Sequence, residues 1–280
     1  MESPKRKLGI FLHFSNFEYI PHYVLLYLRE LAGHLDEVML VTNERAINNE
    51  SELVDLGMKT LFVQNEGYDL GMFYKAFQTI NPHDYQQIAC INDSNILFNS
   101  LNPVFAWGKI QHVDFWGLID SYQKPWFSTH QNNYHIQSHF LVFNDKAIDL
   151  LPPFFKAIEI EKIFEEKDQV KLRRMVINDW EIGLTQFMMG QGLTCGSFIS
   201  SQVFSQLYLS GKSKNVGHKL YAELIHSGYP LLKKKVITKH NWKDIFRSKR
   251  PWEKLIRKYG DQEWELETLI QELKKMNNES

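Results

Sequence analysis

The sequence predicts an α/β fold: a mostly parallel sheet covered by helices, followed by a basic helical C-terminal extension. Three observations carry this. Strand-type and helix-type segments alternate through the first half of the chain. The strand-type segments are apolar on both faces, as strands sandwiched between helical layers are. Each of them stops at a polar cluster: His13-Phe14-Ser15-Asn16, Thr42-Asn43-Glu44, Asn65-Glu66 and Asn92-Asp93-Ser94. Open parallel sheets bind ligands beyond the carboxyl ends of their strands, so these clusters are where chemistry is expected.

The elements follow in order. KLGIFLHF is a strand, and Tyr19 to His34 reads as a helix with Tyr23, Leu26, Tyr27, Glu30 and Leu31 at helical spacing. DEVMLVTN is the second strand. NNESELVDLG is a short helix closed by Gly57, and KTLFVQN is the third strand. DLGMFYKAFQTI is a helix and YQQIACIND the fourth strand. HVDFWGLID is a further strand. YHIQSHFLVFN alternates, so it reads as one strand flooring a pocket. Lys146 to about Val176 is mainly helical around Pro152 and Pro153. NDWEIGLTQFMMGQG reads as a helix opened by Asn178 or Asp179, and LTCGSFI as a last short strand.

Length and composition narrow the classes. A chain of 280 residues suits one large domain, or one domain with an appendage. The net charge of -1 excludes a polyelectrolyte binder, and the 14% of aromatic residues favours ligand platforms. No nucleic-acid recognition motif is present. MESPKRKLGIFLHF has too short an apolar stretch for a leader, and no run approaches the roughly 20 residues of a spanning helix. Cys90 and Cys195 read as reduced core thiols of a cytosolic protein. From Lys233 to Lys258 there are eleven Lys or Arg against two Asp or Glu, interleaved with Trp242, Phe246, Trp252 and Leu255. Such a segment can lie on an anionic membrane surface, or pack its aromatics on the body.

Several local patterns occur in a telling order: NEGYDLGMFYKAF, INDSNILF, DFWGLIDS, HIQSHFLVFNDKAI, NDWEIGLT and NVGHKLYAELIHSGYPLLKKKVI. Together, over about Leu8 to Ile237, they resemble the rhamnan synthesis F family of bacterial polysaccharide glycosyltransferases. The resemblance implies a GT-A-like, Rossmann-type nucleotide-sugar fold. It implies transfer of a deoxyhexose such as rhamnose from a nucleoside-diphosphate donor, dTDP-rhamnose in the typical case. The acceptor would be a lipid-linked or cell-surface glycan. A shift to basic composition beyond about Tyr229 divides the chain into a transferase domain, 1–232, with a donor half of about 1–120 and an acceptor half of about 121–232. The extension is 233–280.

The candidate residues follow from the strand ends and from that resemblance. His13, Asn92, Asp93 and Ser94 lie on the ligand side of the sheet. GT-A enzymes often hold a divalent metal on a D-x-D motif. Here only Asp93 is a carboxylate, so Mg²⁺ or Mn²⁺ would be held by Asp93 and substrate phosphates; the alternative is that Asp93 caps a helix beginning near Asn95. Gly67, Tyr68, Asp69 and Gly71 make a turn into a helix. Asn65 or Asp69 contacts the donor, or Asp69 is simply the N-cap. In NDWEIGLT, Glu181 matches the family's acidic position and is the candidate base for a single, inverting displacement, with Asp179 as the second choice. His218 completes the metal site or meets the diphosphate, as Lys219 can, or is only a helix residue; Lys233 can also face phosphate.

Trp116, Gln137 and His139 are expected to line the acceptor pocket, with Trp126 as a second sugar platform. A zinc site on His130, His135 and His139 is not expected, because four residues along a strand span about 13 Å. Two functions remain in view: a cytoplasmic glycosyltransferase peripheral to the inner membrane face, and a non-catalytic nucleotide-sugar or glycan-binding subunit of a polysaccharide-assembly complex.

Overall fold

The computed structural model describes residues 5–208, 216–238 and 251–279. Its centre is an eight-stranded mixed sheet. The parallel strands are β1 (Arg6–His13), β2 (Glu37–Thr42), β3 (Lys59–Phe62) and β4 (Tyr85–Asn92), in the order β3-β2-β1-β4. A short strand, β5 (Asn95–Leu97), lies off this sheet. The sheet continues through β6 (Phe115–Ser121), β7 (His135–Ile136), β8 (Phe140–Asn144) and β9 (Cys195–Ile199). Strand β8 enters antiparallel between β4 and β6, and β9 runs parallel to β6. The α/β fold is the one the sequence predicts.

Both faces are apolar for the expected reason. Leu8, Ile10, Leu12, Ile88 and Cys90 point into one core, and Phe11, Ala89 and Ile91 into the other. Helix α1 (His22–Ala32) packs Val24, Leu28 and Leu31 on the second face. On the first face lies the helix Tyr68–Phe77, with Leu70, Phe73 and Phe77. Its start needs a glycine: Gly67 has φ +73°, and a Cβ on Gly71 would collide with the carbonyl oxygen of Glu66.

Three details differ from expectation. The segment 134–144 is two strands. Pairing with β6 runs Asp120↔Ile136 but Gly117↔Leu141, a slip of two residues absorbed at 137–139. Gly117 permits it, since a Cβ there would strike Ile136 and the carbonyl of Phe140. No helix starts near Asn95; β5 pairs with β10 (Leu231–Lys233) instead. Cys90 is buried in the core but Cys195 is only half-buried, and both thiols are free.

The C-terminal helices Pro251–Tyr259 and Leu266–Glu279 share the core of α1. Trp252, Ile256, Leu269, Ile270 and Leu273 are buried there, so Trp252 packs on the body. Trp242 and Phe246 lie outside the described residues. Among the described residues, no helix is long and apolar enough to cross a membrane.

Candidate active site

Asp93 follows the last residue of β4. Its N–H donates to the carbonyl of Leu12 at 3.2 Å, which extends the β1–β4 ladder by one step. Asn92 then turns the chain into β5, its Oδ1 accepting the N–H of Ser94 at 3.0 Å. One oxygen of Asp93, Oδ2, accepts from three donors: His13 Nδ1 at 2.6 Å, the Tyr23 hydroxyl at 3.1 Å and Lys234 Nζ at 2.5 Å. Burial alone would push this carboxyl up. The Lys234 charge and the His13 hydrogen bond outweigh it and hold Asp93 well below the usual carboxylate range. The Tyr23 phenol moves the other way, far above its ordinary value, through burial and then the charge of Asp93.

Asp69 sits two residues into its helix, half-buried. Gly67 occupies the cap position, and the Asp69 side chain makes no cap bond. It accepts instead from Asn92 Nδ2 at 2.5 Å, so Asn92 ties the turn after β4 to this helix. Burial, then the charges of Asp93 and Glu181, push Asp69 up to about 7.

Glu181 lies in a six-residue π-helical segment, Ile177–Ile182, set between the helices Gln169–Val176 and Gly183–Gly190. The N-cap of this long element is Asp168, which accepts from the N–H groups of Val170 and Lys171; the expectation that Asn178 or Asp179 opens a helix is wrong. The Asn178 carbonyl accepts the Gly183 N–H five residues on, as the widened turn requires, and also meets His130 Nε2 at 3.0 Å. Asp179 accepts from Asn178 at 2.6 Å and is pushed up by burial, with His130 opposing. Glu181 faces other partners: its charge acts on Asp69 and on Lys233. Asp69 therefore feels the carboxylates of positions 93 and 181 together, whereas the neighbours of Asp179 belong to the loop at Thr129 and His130.

Consecutive lysines flank this acidic group. Pairing of β10 with β5 sets Lys233 opposite Asn95, and the Lys234 N–H donates to the carbonyl of Ser94 at 3.0 Å. Lys234 reaches Asp93 and lies 4.8 Å over the Tyr23 ring. Lys233 reaches Gln137 Oε1 at 3.3 Å. Burial pulls the Lys233 ammonium down, with Glu181 opposing. Arg45 is bonded to Thr42, Asn43 and the Phe17 carbonyl and feels the charge of Asp93. Its Nη2 is buried without a partner among the described residues.

The remaining candidates scatter. Asn65 and Tyr68 lie on a separate cleft of about 150 Å³ shared with Glu166, Lys167 and Gln169. Ser94 is exposed beside Asp93. Trp116 is no sugar platform: it is buried against Phe105, Trp107 and Phe140. His139 is buried too, its Nε2 2.8 Å from the Tyr229 hydroxyl, and burial followed by Lys233 pushes it down to about 3. It packs under the site and does not line it. Trp126 is 80% exposed, with Arg174 over its ring. The side chains of His218 and Lys219 lie outside the described residues; their neighbour Gly217 rests against Lys233.

Lys234, Tyr23 and Arg45 escaped the sequence reading. The KKK run after GYPLL was a signal for Lys234, but Tyr23 read as a core position and Arg45 had no pattern. A divalent metal at Asp93 Oδ2 would have to displace the Lys234 ammonium. Asp93 Oδ2 already holds three donors, one of them an ammonium, and Asp69 Oδ2 is taken by Asn92. Among the described residues, no three His, Cys, Asp or Glu side chains could jointly hold a metal.

The mixed α/β sheet gathers carboxylates and ammonium groups beyond its parallel strands, an arrangement that a glycosyltransferase in general can use. The chain belongs to the rhamnan synthesis protein F family, whose model matches residues 38–277. It is 24% identical over 263 residues to a protein of Vibrio anguillarum named virulence protein VirA, covering 83% of this chain and 80% of that one. The glycosyltransferase GlyE of Streptococcus pneumoniae superposes on 91% of this chain and 63% of its own, with a TM-score of 0.43 at 10% identity. A Desulfovibrio desulfuricans protein described as a nucleotide-diphospho-sugar transferase covers 91% and 99%, with a TM-score of 0.41 at 12% identity.

Proposed function

We propose that this protein transfers a sugar, a deoxyhexose such as rhamnose, from a nucleoside-diphosphate donor to a lipid-linked or cell-surface glycan by a single inverting displacement. The observation that carries this is the cluster beyond β4: Asp93 bonded to His13, Tyr23 and Lys234, Asp69 tied to the same turn by Asn92, and Lys233 held by Gln137, with the charge of Glu181 reaching Asp69 and Lys233. Glu181 accepts the proton of the acceptor hydroxyl. The acceptor oxygen bonds to the anomeric carbon as the bond from that carbon to the diphosphate oxygen breaks, and its electron pair leaves with the diphosphate. Asp93 holds His13, Tyr23 and Lys234 in place and touches no metal in this scheme. The basic residues from Lys235 to Lys258 give the protein a reason to work at the cytoplasmic membrane face, where a lipid-linked acceptor resides.

Incubating the purified protein with dTDP-, UDP- and GDP-sugars and a lipid-linked acceptor tests the reading. Donor consumption by the wild type, lost in Glu181→Gln, supports it. Tight donor binding with no turnover by any acceptor replaces it with a non-catalytic binding subunit.

A further inference from the structure

We propose that Lys234 takes the place a divalent cation would occupy against the donor diphosphate, so that donor binding and diphosphate departure are independent of metal. This rests on the transfer reading above and names the group that receives the leaving charge.

Lys234 is placed by two constraints independent of its charge. Its N–H is fixed on the Ser94 carbonyl, and the preceding strand β10 is paired residue by residue with β5. The ammonium is thereby seated on Asp93, where the only strand-end carboxylate of the INDSN turn lies. An ammonium has three N–H donors. Asp93 takes one, the Tyr23 ring backs the group at 4.8 Å, and the side chain is still 23% exposed. Donors thus remain for phosphate oxygens.

A lone surface ion pair would give Asp93 a partner and nothing more. Here two further cations stand nearby. Lys233 is held by Gln137 on the other side of β10, and Arg45 is coupled to Asp93 with one nitrogen lacking a partner. Glu181 acts on Lys233, so Lys234 and Arg45 are the cations with nitrogen donors left over beside Asp93. A diphosphate supplies the anionic oxygens for those donors. As the sugar–oxygen bond breaks, the pair of electrons moves onto the diphosphate oxygen. Lys234 stabilises that charge there, and no proton or metal need accompany it.

Titration calorimetry of the intact protein with dTDP, UDP and GDP, each in EDTA and in millimolar Mg²⁺ or Mn²⁺, tests this. The tightest-binding nucleotide is expected to keep its Kd within twofold in EDTA. Lys234→Met is expected to weaken that nucleotide at least tenfold while changing binding of the phosphate-free nucleoside less than threefold, and Lys234→Arg to restore part of the loss. Binding that appears only with a divalent ion overturns this inference and leaves the transfer reading intact. An unchanged Kd in Lys234→Met also overturns it. Failure of all three nucleotides to bind in either buffer overturns both. The EDTA comparison uses the wild type and so tests metal independence by itself; if Lys234→Met does not fold, Lys234→Gln takes its place with the same expected loss.

Discussion

Glu272 and Tyr23 are joined across 249 positions: the Glu272 carboxylate accepts the backbone N–H of Tyr23 at 2.9 Å, and that of His22 at 2.8 Å. Pro21 opens this helix and offers no side-chain cap, so a carboxylate from the last helix of the chain satisfies two of its unpaired N–H groups. The same Tyr23 donates its hydroxyl to Asp93. The C-terminal helix thus braces the group that holds the centre of the candidate site. Glu272→Ala is expected to cost about 1–3 kcal/mol, because two part-buried donors lose their acceptor. Thermal denaturation should show a drop of about 3–8 °C, and donor affinity should weaken with it. Unchanged Tm and affinity would dismiss the brace.

The two acids of the π-helical turn should separate in kinetics. Glu181→Gln is expected to lower kcat by about 10²–10⁴, the range for loss of a general base, with donor Kd within threefold. Asp179→Asn should lower kcat less than tenfold, since Asp179 answers to Asn178 and His130. Equal losses in the two variants would remove the assignment of Glu181.

Asp69 makes a pH prediction with a definite sign. Its carboxyl rises from 3.8 to about 7 on folding. The folded chain therefore holds more protons than the unfolded chain between these values, and stability falls as pH rises through that window. Asp69→Asn keeps an oxygen for Asn92 and carries no charge. Relative to wild type it should be equally stable near pH 4 and more stable by about 2–4 °C at pH 8. Donor affinity of the wild type should fall as pH rises past 7, when ionised Asp69 repels diphosphate, and this fall should flatten in the variant. A variant less stable than wild type at pH 8 would contradict the assignment.

Trp116 separates core from sugar platform. It is 1% exposed, and Gly108 lies against its ring. Trp116→Phe should lower Tm by several degrees, as expected of a cavity in a tightly packed core, while kcat/KM changes less than threefold. A large loss of kcat/KM at constant Tm would return Trp116 to the acceptor pocket.

The amino-acid sequence by itself determined the alternation of strands and helices, the apolar character of both sheet faces, and the position of Asp93 at a strand end. These are local properties: side-chain period, burial pattern and polar termination are written within ten residues of one another. It also marked Asp69 and Glu181 as candidate acids, with an N-cap as the alternative for Asp69 and a helix opening at Asn178 or Asp179. Cap geometry depends on φ and on where the helix begins, and the π-helical turn shifts hydrogen bonds without altering composition.

Only the tertiary structure decided who meets Asp93. His13, Tyr23 and Lys234 come from positions 80, 70 and 141 residues away, brought there by β1–β4 pairing, by packing of α1 and by the β5–β10 pair. No spacing rule reaches such distances, and a lysine in a basic run looks the same whether it faces solvent or a carboxylate. The charge environment of the site, and with it the change from a metal-type carboxylate to an ammonium-paired one, is a property of through-space contact set by packing.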